Sequence, residues 1–252
     1  KIAQFTGERN MLATPIPGLF LYRRTEATGP CPATYQPSLA VIAQGRKRVE
    51  LGRTAFIYDA SRYLLSSLDL PVTSRIIEAT EDEPYLAMLL KLDMGIVREL
   101  LTQHELPAAG APVDGAGMAT GKTTPEFLSA CCRLLDLLAA PEDIPVLSGL
   151  IIREIIYRVL CGPAGARLRA VATQGNQSQR TAKAIAWLKE NYSKPLRVEE
   201  LARIAGMGVS TFHHHFRALA AMSPLQYQKQ LRLQAARQLM LVDGLDAASA
   251  AF

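Results

Sequence analysis

The sequence has few of the residues that disulfide frameworks, metal sites and membrane spans require. Its 252 residues contain four Cys, without a C-x-x-C pair, and four His. Buried or idle thiols in a reducing compartment are therefore expected, with a redox sensor as the less favoured alternative. No apolar run approaches the roughly 20 residues that cross a bilayer, and the first residues lack the basic and apolar stretches of a signal peptide. We expect a cytoplasmic protein that does not contact the membrane.

The motifs of common enzyme classes are missing as well. The sequence contains no G-x-S-x-G, P-loop or G-x-G-x-x-G motif. A metalloenzyme barrel would need two or three His and a carboxylate, yet the first 175 residues hold one histidine, His104. The run His213-His214-His215 cannot converge on one ion, because consecutive helical residues lie about 100° apart. The sequence predicts no catalytic residue, metal or cofactor.

The positive charge is concentrated in the last third of the chain. The whole sequence has a net charge of +5 at pH 7. Residues 1–175 hold 18 Lys/Arg and 18 Asp/Glu, whereas residues 176–252 hold 10 Lys/Arg and 5 Asp/Glu. A localised basic surface is typical of a nucleic-acid-binding domain, although many basic surfaces are only solvated.

Short apolar runs separated by Gly, Pro, Ser and Asp fill the first ninety residues. They predict strands at Leu19–Arg23, Leu39–Gln44, Arg46–Leu51, Thr54–Tyr58, Arg62–Leu68, Val72–Ala79 and Tyr85–Leu92. Their close, regular spacing favours a sandwich or barrel over βαβ units. Hairpins are predicted at Leu39–Leu51, turning at Gly45, and at Arg48–Tyr58, turning at Gly52. A barrel of this size can hold one small ligand in its mouth.

The apolar period becomes helical after residue 124. Residues His104–Thr124 are rich in Ala, Gly and Pro, which predicts a mobile excursion. Apolar positions then repeat at i, i+3, i+4 and i+7 in one helix that starts near Pro125 and a second that ends at Gly162-Pro163. These helices either form the seam of a homodimer or pack within the domain core, and both interpretations stay open. The best boundary between two domains lies at Gly162–Gln177.

The C-terminal third has the pattern of a helix-turn-helix domain. An amphipathic helix is predicted at Ser178–Tyr192, and a short helix at Val198–Ala205 is ended by Gly206. A second short helix follows at Ser210–Ala220. Two short helices joined by a glycine-containing turn are typical of the helix-turn-helix motif. A long third helix begins at Ser223-Pro224, because Ser caps a helix and Pro fits its first position.

These segments resemble the DNA-binding domain of the AraC/XylS regulators. The motifs that carry the resemblance are Leu196–Ala202, Ser210–Arg217, Met222–Tyr227 and Arg232–Arg237. The front half resembles the cupin-like N-terminal domain of one branch of that family through Tyr35–Leu39, Gln44–Arg48 and Tyr63–Leu65. The resemblance covers nearly the whole chain. It implies an α+β fold, in which an N-terminal cupin-like β-barrel with appended helices is followed by an all-α helix-turn-helix domain.

The resemblance also implies how the chain is divided. An effector-sensing and dimerisation domain would span residues 1–163, with helices at about 125–161, and residues 164–177 would link it to a DNA-binding domain at 178–252. In this family two helix-turn-helix units are joined by a long helix. Here the first unit and the linking helix are present, and residues 246–252 resemble only the opening helix of the second unit. The chain as given is therefore expected to be truncated within the second unit and to bind DNA poorly.

The predicted DNA contacts lie on the first recognition helix and the linking helix. The predicted set is Ser210, Thr211, His213, His214, Arg217, Lys229 and Arg232. Hydroxyl and imidazole groups can hydrogen-bond base edges in the major groove, and Arg217 or Arg232 can neutralise phosphates. An ordinary solvent-facing position is the alternative for each.

Two positions depart from the family pattern. Gly208 stands where a serine usually caps the recognition helix, a change that should cost only a few tenths of a kcal/mol. Ala221 stands where a glycine usually precedes the next helix. If its φ is positive, Ala221 is strained by about 1 kcal/mol.

The sequence thus predicts a sequence-specific, double-stranded-DNA-binding transcription regulator that acts as a homodimer and is controlled by a small organic effector in the barrel. Tyr22, Tyr35 and Tyr63 are candidate effector contacts, because tyrosine presents an apolar ring and a hydrogen-bonding tip. Packing in the barrel core is the alternative for these three residues. A sensor or interaction module that does not itself bind DNA is the second reading, and a cupin-type enzyme is the least favoured.

Overall fold

The computed structural model describes residues 1–103, 106 and 115–242, and within them the predicted α+β class is confirmed. The strands are β1 (Met11–Ala13), β2 (Leu19–Arg24), β3 (Cys31–Tyr35), β4 (Ser38–Gln44), β5 (Arg46–Leu51), β6 (Thr54–Tyr58), β7 (Arg62–Ser66), β8 (Leu70–Glu78), β9 (Tyr85–Lys91) and β10 (Met118–Lys122). The helices are α1 (Ile2–Thr6), α2 (Met94–Gln103), α3 (Pro125–Asp136), α4 (Ile144–Cys161), α5 (Gly165–Ala172), α6 (Gln177–Glu190), α7 (Val198–Ile204), α8 (Val209–Ala220) and α9 (Pro224–Val242).

The strands form two antiparallel sheets. The first sheet has the order β1-β2-β9-β4-β7-β10, and the second has the order β3-β8-β5-β6. Strand β4 is apolar along most of its length because both of its faces are covered. Its Leu39 and Val41 pack toward the helices, whereas Ala40 and Ile42 pack toward the second sheet.

The hairpin prediction was right at Gly52 and wrong at Gly45. Strands β5 and β6 pair directly through the Gly52 turn. Strands β4 and β5 belong to different sheets, so Gly45 is a corner where the chain crosses between them. Gly45 has a φ of 84°, and a Cβ there would lie 2.6 Å from the Glu78 carbonyl oxygen. The glycine signal is the same for a hairpin and for such a corner, which is why the sequence pattern could not separate them.

The buried apolar residues form two clusters. The helix-side cluster joins the outer face of the first sheet to α2–α5 and includes Leu39, Leu65, Leu90, Phe127, Leu134, Ile155 and Leu160. The bridging cluster joins the interior between the sheets to α6–α9 and includes Ile42, Val49, Leu70, Val72, Leu188, Leu201, Phe212, Phe216 and Tyr227. The β domain and the helix-turn-helix domain therefore share one continuous core.

The helical domain follows the sequence pattern closely. Gly206 has a φ of 61° and ends the short helix α7. The start of α9 is a capping box, in which the Gln226 backbone N–H donates to the Ser223 hydroxyl at 3.3 Å and the Gln226 side-chain oxygen accepts from the Ser223 backbone N–H at 2.9 Å. The rings of Phe212, Phe216 and Tyr227 meet edge to face at centroid distances of 5.5 and 5.6 Å. This aromatic stack holds α8 against α9.

Several elements escaped the sequence analysis. The segment predicted as a mobile excursion, His104–Thr124, contains strand β10, which pairs with β7; its residues 104–105 and 107–114 lie outside the described residues. Met118–Lys122 was missed because its five residues carry only one large apolar side chain. Helix α5 occupies much of the predicted linker and buries Leu168. The residues resembling the second helix-turn-helix, 246–252, also lie outside the described part of the chain.

Across the described ranges, the structure contains no helix with both the length and the apolar character needed to span a bilayer.

Candidate DNA-reading helix and effector cavity

Helix α8 presents most of the predicted base-reading side chains to solvent. Ser210, Thr211, His214 and Arg217 are exposed, while His213 is half-buried. The opposite face of α8 carries Phe212, Phe216 and Leu219 in the bridging cluster. Gly208 is the helix N-cap and supplies no capping side chain. The packing of its apolar face therefore orients α8 so that its polar face can enter a major groove.

The two predicted contacts on α9 have different environments. Lys229 is exposed. Arg232 instead donates hydrogen bonds to the carbonyl oxygens of Tyr192, Ser193 and Lys194 at 2.8, 3.1 and 2.9 Å. These carbonyls follow the end of α6, so Arg232 ties α9 to that end of the helix. A phosphate contact by Arg232 would compete with those three bonds.

The recognition helix is held against the β domain at its C-terminal end. The Gly117 N–H donates to the Leu219 carbonyl at 2.7 Å. Ala221, which follows α8, has a φ of 56° and is left-handed, which is the strained case described above for a positive φ. A Cβ on Gly52, in the β5–β6 turn, would overlap the Ala221 carbonyl oxygen. Close backbone approach on both sides therefore fixes the end of α8.

Asp69, between β7 and β8, anchors two further helices of the DNA-binding domain. Its carboxylate pairs with the Lys189 ammonium on α6 at 2.5 Å. Its carbonyl oxygen accepts a hydrogen bond from the Tyr227 hydroxyl on α9 at 2.9 Å. On the other side of α9, the Gln234 amide donates to the Ala33 carbonyl at 2.9 Å, and the Thr34 hydroxyl donates to the Gln234 oxygen. Strand β3 and α9 are thus bonded to each other.

A cavity of about 900 Å³ lies where β3 and α9 meet. Phe20, Tyr22, Tyr35 and Leu89 form its wall on the side of the β domain. Tyr192, Leu231, Gln234, Ala235 and Arg237 form its wall on the side of the DNA-binding domain. Lys91 and Arg237 contribute positive charge, Lys189 is already paired with Asp69, and none of the described residues that line the cavity is a carboxylate. The cavity is therefore mainly apolar, with a positive potential, and it belongs to both domains.

Comparison with protein families identifies the chain. Residues 15–167 match the family described as the N-terminus of AraC-type transcriptional regulators, and residues 201–252 match a helix-turn-helix domain. The chain belongs to the AraC-type transcriptional regulators. Both matches are to domains of transcription regulators rather than enzymes. The resemblance found in the sequence is thereby confirmed, including a helix-turn-helix DNA-binding domain.

Two solved structures are similar to this AraC-type regulator at low sequence identity. ToxT from Vibrio cholerae strain SCE256, bound to an unsaturated fatty acid, is 11% identical over 87% of this chain and 95% of that one, with a TM-score of 0.37. The AraC-like transcriptional activator CuxR is 14% identical over 94% of this chain and 82% of that one, with a TM-score of 0.38. None of the curated proteins matches the chain.

The predicted effector tyrosines of this AraC-type regulator separate into two groups. Tyr22 and Tyr35 line the cavity. Tyr63 does not, because it packs in the helix-side cluster with its ring centroid 5.0 Å from that of Phe127. Burial raises the pKa of Tyr63 to about 12. Core packing, the alternative kept open for all three, therefore applies to Tyr63.

Behind Tyr22 and Tyr35 lies a polar group that the sequence analysis missed. Lys47 on β5 has its ammonium nitrogen 5.6 Å from the centre of the Tyr35 ring, and Tyr58 and Tyr85 complete the group. Burial works against the charge on Lys47, but a hydrogen bond to Tyr35 and the other phenol oxygens outweigh it, so the pKa of Lys47 lies above its usual value. Burial raises the pKa of Tyr85 to about 12.

A sequence signal for Lys47 did exist. In strand β5 the residues at positions 47, 49 and 51 point to one face, and Val49 and Leu51 are fully buried. Lys47 is therefore a charged residue on the core-facing side of a strand. Such a residue needs partners inside the domain, which makes it a candidate for function.

Proposed function

We propose that this AraC-type regulator binds specific DNA sequences under the control of a small organic effector that occupies the cavity between its two domains. The observation that carries this proposal is the composition of the cavity walls. One wall belongs to the β domain and the other to α6 and α9, the helices that position the DNA-reading helix α8. A ligand in the cavity would contact both domains at once.

The physical basis of control is differential binding. A ligand that fits the cavity only when the domains are docked as observed stabilises that arrangement and raises its population. The docked arrangement holds the end of α8 through Gly117 and Gly52, and it holds the neighbouring helices α6 and α9 through Asp69. Effector binding therefore selects one orientation of α8 relative to the β domain, and DNA affinity changes with the fraction of molecules in that orientation.

Base reading is assigned to the exposed face of α8. Ser210, Thr211, His213 and His214 supply hydrogen-bonding groups for base edges, and Arg217 supplies charge for phosphates. Lys229 extends the basic surface along α9. Arg232 contributes indirectly, because its three bonds to the end of α6 hold α9 in place.

The proposal includes a homodimer formed through α4. Val146 and Leu150 are 69% and 62% exposed on one side of this helix, and Tyr157 is 42% exposed further along it. A Cβ at Gly149 would meet no neighbour, so another helix can approach closely there. Paired copies also suit the paired half-sites that helix-turn-helix proteins read. Sedimentation equilibrium should give a dimer for the parent protein and a monomer for Leu150→Glu.

The central experiment selects DNA from a random library, using both the 252-residue chain and the complete product of its gene. Selective binding should emerge, and its affinity should fall steeply with added salt. Changing His213 and His214 to Ala should remove the preference for the selected site while leaving most non-specific binding. Lys122→Ala, an exposed lysine on the β domain, is the matched control and should change neither. Binding that is weak and indifferent to sequence in both forms would favour a sensor module without DNA binding.

The same DNA assay tests the role of the cavity. Ala235 lines the cavity from α9, so Ala235→Trp should fill part of it without touching the exposed face of α8. We expect the variant to bind the selected DNA with an affinity that no longer responds to a cell extract containing the effector, whereas the parent protein responds. An equal response in both proteins would contradict an effector site in this cavity.

A further inference from the structure

The β5–β6 hairpin places an arginine of the β domain beside the recognition helix. Leu51 pairs with Thr54, so Gly52 and Arg53 alone form the loop of this hairpin. The φ of 58° at Gly52 suits a two-residue turn with glycine at its first position. A Cβ on Gly52 would overlap the Ala221 carbonyl oxygen, and Arg53, the next residue, is exposed. The tip of the hairpin therefore holds Arg53 next to the C-terminal end of α8.

Arg217 lies in the last turn of α8, close to the same hairpin. Its carbonyl oxygen accepts the Ala221 N–H at 2.9 Å, so Ala221 follows it by one helical turn, about 5.4 Å along the axis. The Arg217 side chain is exposed, as is that of Arg53. Because Gly52 lies against Ala221, the two arginines stand on adjoining segments of the two domains.

The segments that meet at this junction contain no acid. Residues 206–242, which include α8 and α9, have no Asp or Glu, and neither does the stretch 51–58. Glu50, the nearest acid before Arg53, pairs with Arg48 at 2.7 Å. Arg53 forms no ion pair with any residue that the structure describes. An exposed and unpaired cationic surface beside a recognition helix is complementary to the phosphates of DNA.

The length of α8 brings this end of the helix to a DNA strand. Its 12 residues span about 18 Å, whereas the major groove is about 12 Å wide. A helix of this length in the groove therefore extends to the phosphate backbone that borders it. Arg217, the proposed phosphate contact of α8, is at this end, and Arg53 adjoins it.

We propose that Arg53, in the β domain, contacts a DNA phosphate next to the site that α8 reads, so that both domains bind the DNA. This inference rests on the proposed function, because it adds a contact to the same DNA complex. A phosphate contact positions the protein and carries no sequence information. Arg53 reaches the DNA only while the β5–β6 turn lies against Ala221. A shift in the docking of the two domains therefore shifts the DNA affinity.

The salt dependence of DNA binding counts the phosphate contacts. In the complete gene product with its selected DNA, Arg53→Ala should weaken binding about three- to tenfold at physiological salt and make the slope of log K against log salt shallower by about 1. Arg53→Lys keeps the charge and should keep the slope of the parent protein. Arg62→Ala is the matched control and should change neither quantity. Arg62 is also exposed on the β domain, but it stands opposite Lys122 at the end of β7 away from Gly117.

A cleavage experiment locates the contact on the DNA. An iron chelate attached to Arg53→Cys should cut the DNA beside the site that α8 reads. The same chelate on Arg62→Cys should cut no more than the labelled parent protein does. The labelled parent gives the background from Cys31 and Cys132, which are both exposed.

The outcomes separate this contact from DNA binding itself. If the parent binds its selected DNA and Arg53→Ala matches Arg62→Ala in affinity and slope, Arg53 makes no phosphate contact and the proposed function stands. If Arg53→Ala and Arg53→Lys both lose affinity at an unchanged salt slope, Arg53 only supports the docking of the domains, and the inference is wrong. A parent protein without selective binding would remove the proposed function and this contact together.

Discussion

The helix-side cluster and the bridging cluster are similar in size but differ in chemistry. The helix-side cluster is almost wholly aliphatic, and its one buried tyrosine, Tyr63, packs on Phe127. The bridging cluster contains Tyr58, Tyr85 and Tyr227 and adjoins the Asp69 contacts of α6 and α9. It also includes the strained junction at Ala221. One cluster only holds a domain together, whereas the other joins two domains with directional contacts.

The difference indicates where the molecule can change state. The helix-side cluster is close-packed and apolar, and it lies within the β domain, so it stabilises that domain without directional contacts to the helix-turn-helix domain. Hydrogen bonds and close backbone approaches, as at Gly117 and Leu219, are satisfied in only one docking of the domains. Changes at the bridging cluster are therefore expected to alter function as well as stability, whereas changes at the helix-side cluster alter mainly stability.

The largest effects are expected from cavities made in the two clusters. Leu134 and Phe216 are both fully buried. Leu134→Ala should lower the free energy of unfolding by about 2–5 kcal/mol and Phe216→Ala by about 3–5 kcal/mol. Urea unfolding measures both. At a temperature where each variant remains folded, Leu134→Ala should retain binding to the selected DNA, whereas Phe216→Ala should lose it because α8 loses its support. Equal loss of DNA binding would remove the functional distinction between the clusters.

A smaller and more specific effect is expected at the contact between domains. Gly52 and Gly206 have nearly the same φ, 58° and 61°, but only Gly52 lies against Ala221, and a Cβ on Gly206 would meet no neighbour. Gly52→Ala should therefore cost about 1–3 kcal/mol more than Gly206→Ala, since both positions have a positive φ and only Gly52 adds overlap. Urea unfolding gives the difference, and limited proteolysis between α5 and α6 should accelerate only in Gly52→Ala. A similar loss of stability in the two variants would mean that the contact between Gly52 and Ala221 does not add to the cost.

Most secondary structure could be predicted because its signals are local. Signals that span only a few residues predicted the hydrophobic periods of β2, β4–β9 and α3–α4, the end of α7 at Gly206 and the start of α9 at Ser223. Each of these elements lies within two or three residues of its predicted position. Strand pairing is not local. Gly45 gave the same signal as a hairpin turn, although its strands lie in different sheets, and β10 finds its place only through its pairing with β7.

The candidate site was predictable in part for the same reason. The exposed face of α8 follows from helical periodicity around Phe212 and Phe216, so its polar residues could be named from the sequence. The cavity depends on β3, a strand that the sequence did not indicate, and on its contact with Gln234, about 200 positions later in the chain. Tyr22 and Tyr35 were found by residue type. Lys47 required attention to strand parity. Arg232 was assigned to phosphate because its carbonyl partners, in the segment after α6, lie about 40 positions earlier in the chain, and the sequence does not show that contact.

The smallest expected effect is the change in stability of Ala221→Gly, and its sign shows whether strain or packing dominates at the contact between the domains. Ala221 is the one described non-glycine residue with a positive φ, and its N–H bonds the Arg217 carbonyl at 2.9 Å. Relief of backbone strain predicts that Ala221→Gly raises stability by about 0.5–1 kcal/mol, after allowing for the greater entropy of glycine in the unfolded chain. Ala218→Gly, in the regular part of α8, should instead lower stability by about 0.5–1 kcal/mol.

A loss of stability in Ala221→Gly would also be informative. The Ala221 methyl lies 3.1 Å from where a Cβ on Gly52 would stand, so it already fills the space against the β5–β6 turn. If urea unfolding shows that Ala221→Gly is destabilising, that packing outweighs the strain. The alanine would then be part of the contact between the domains, and Gly52→Ala combined with Ala221→Gly should cost less than the two single changes added together.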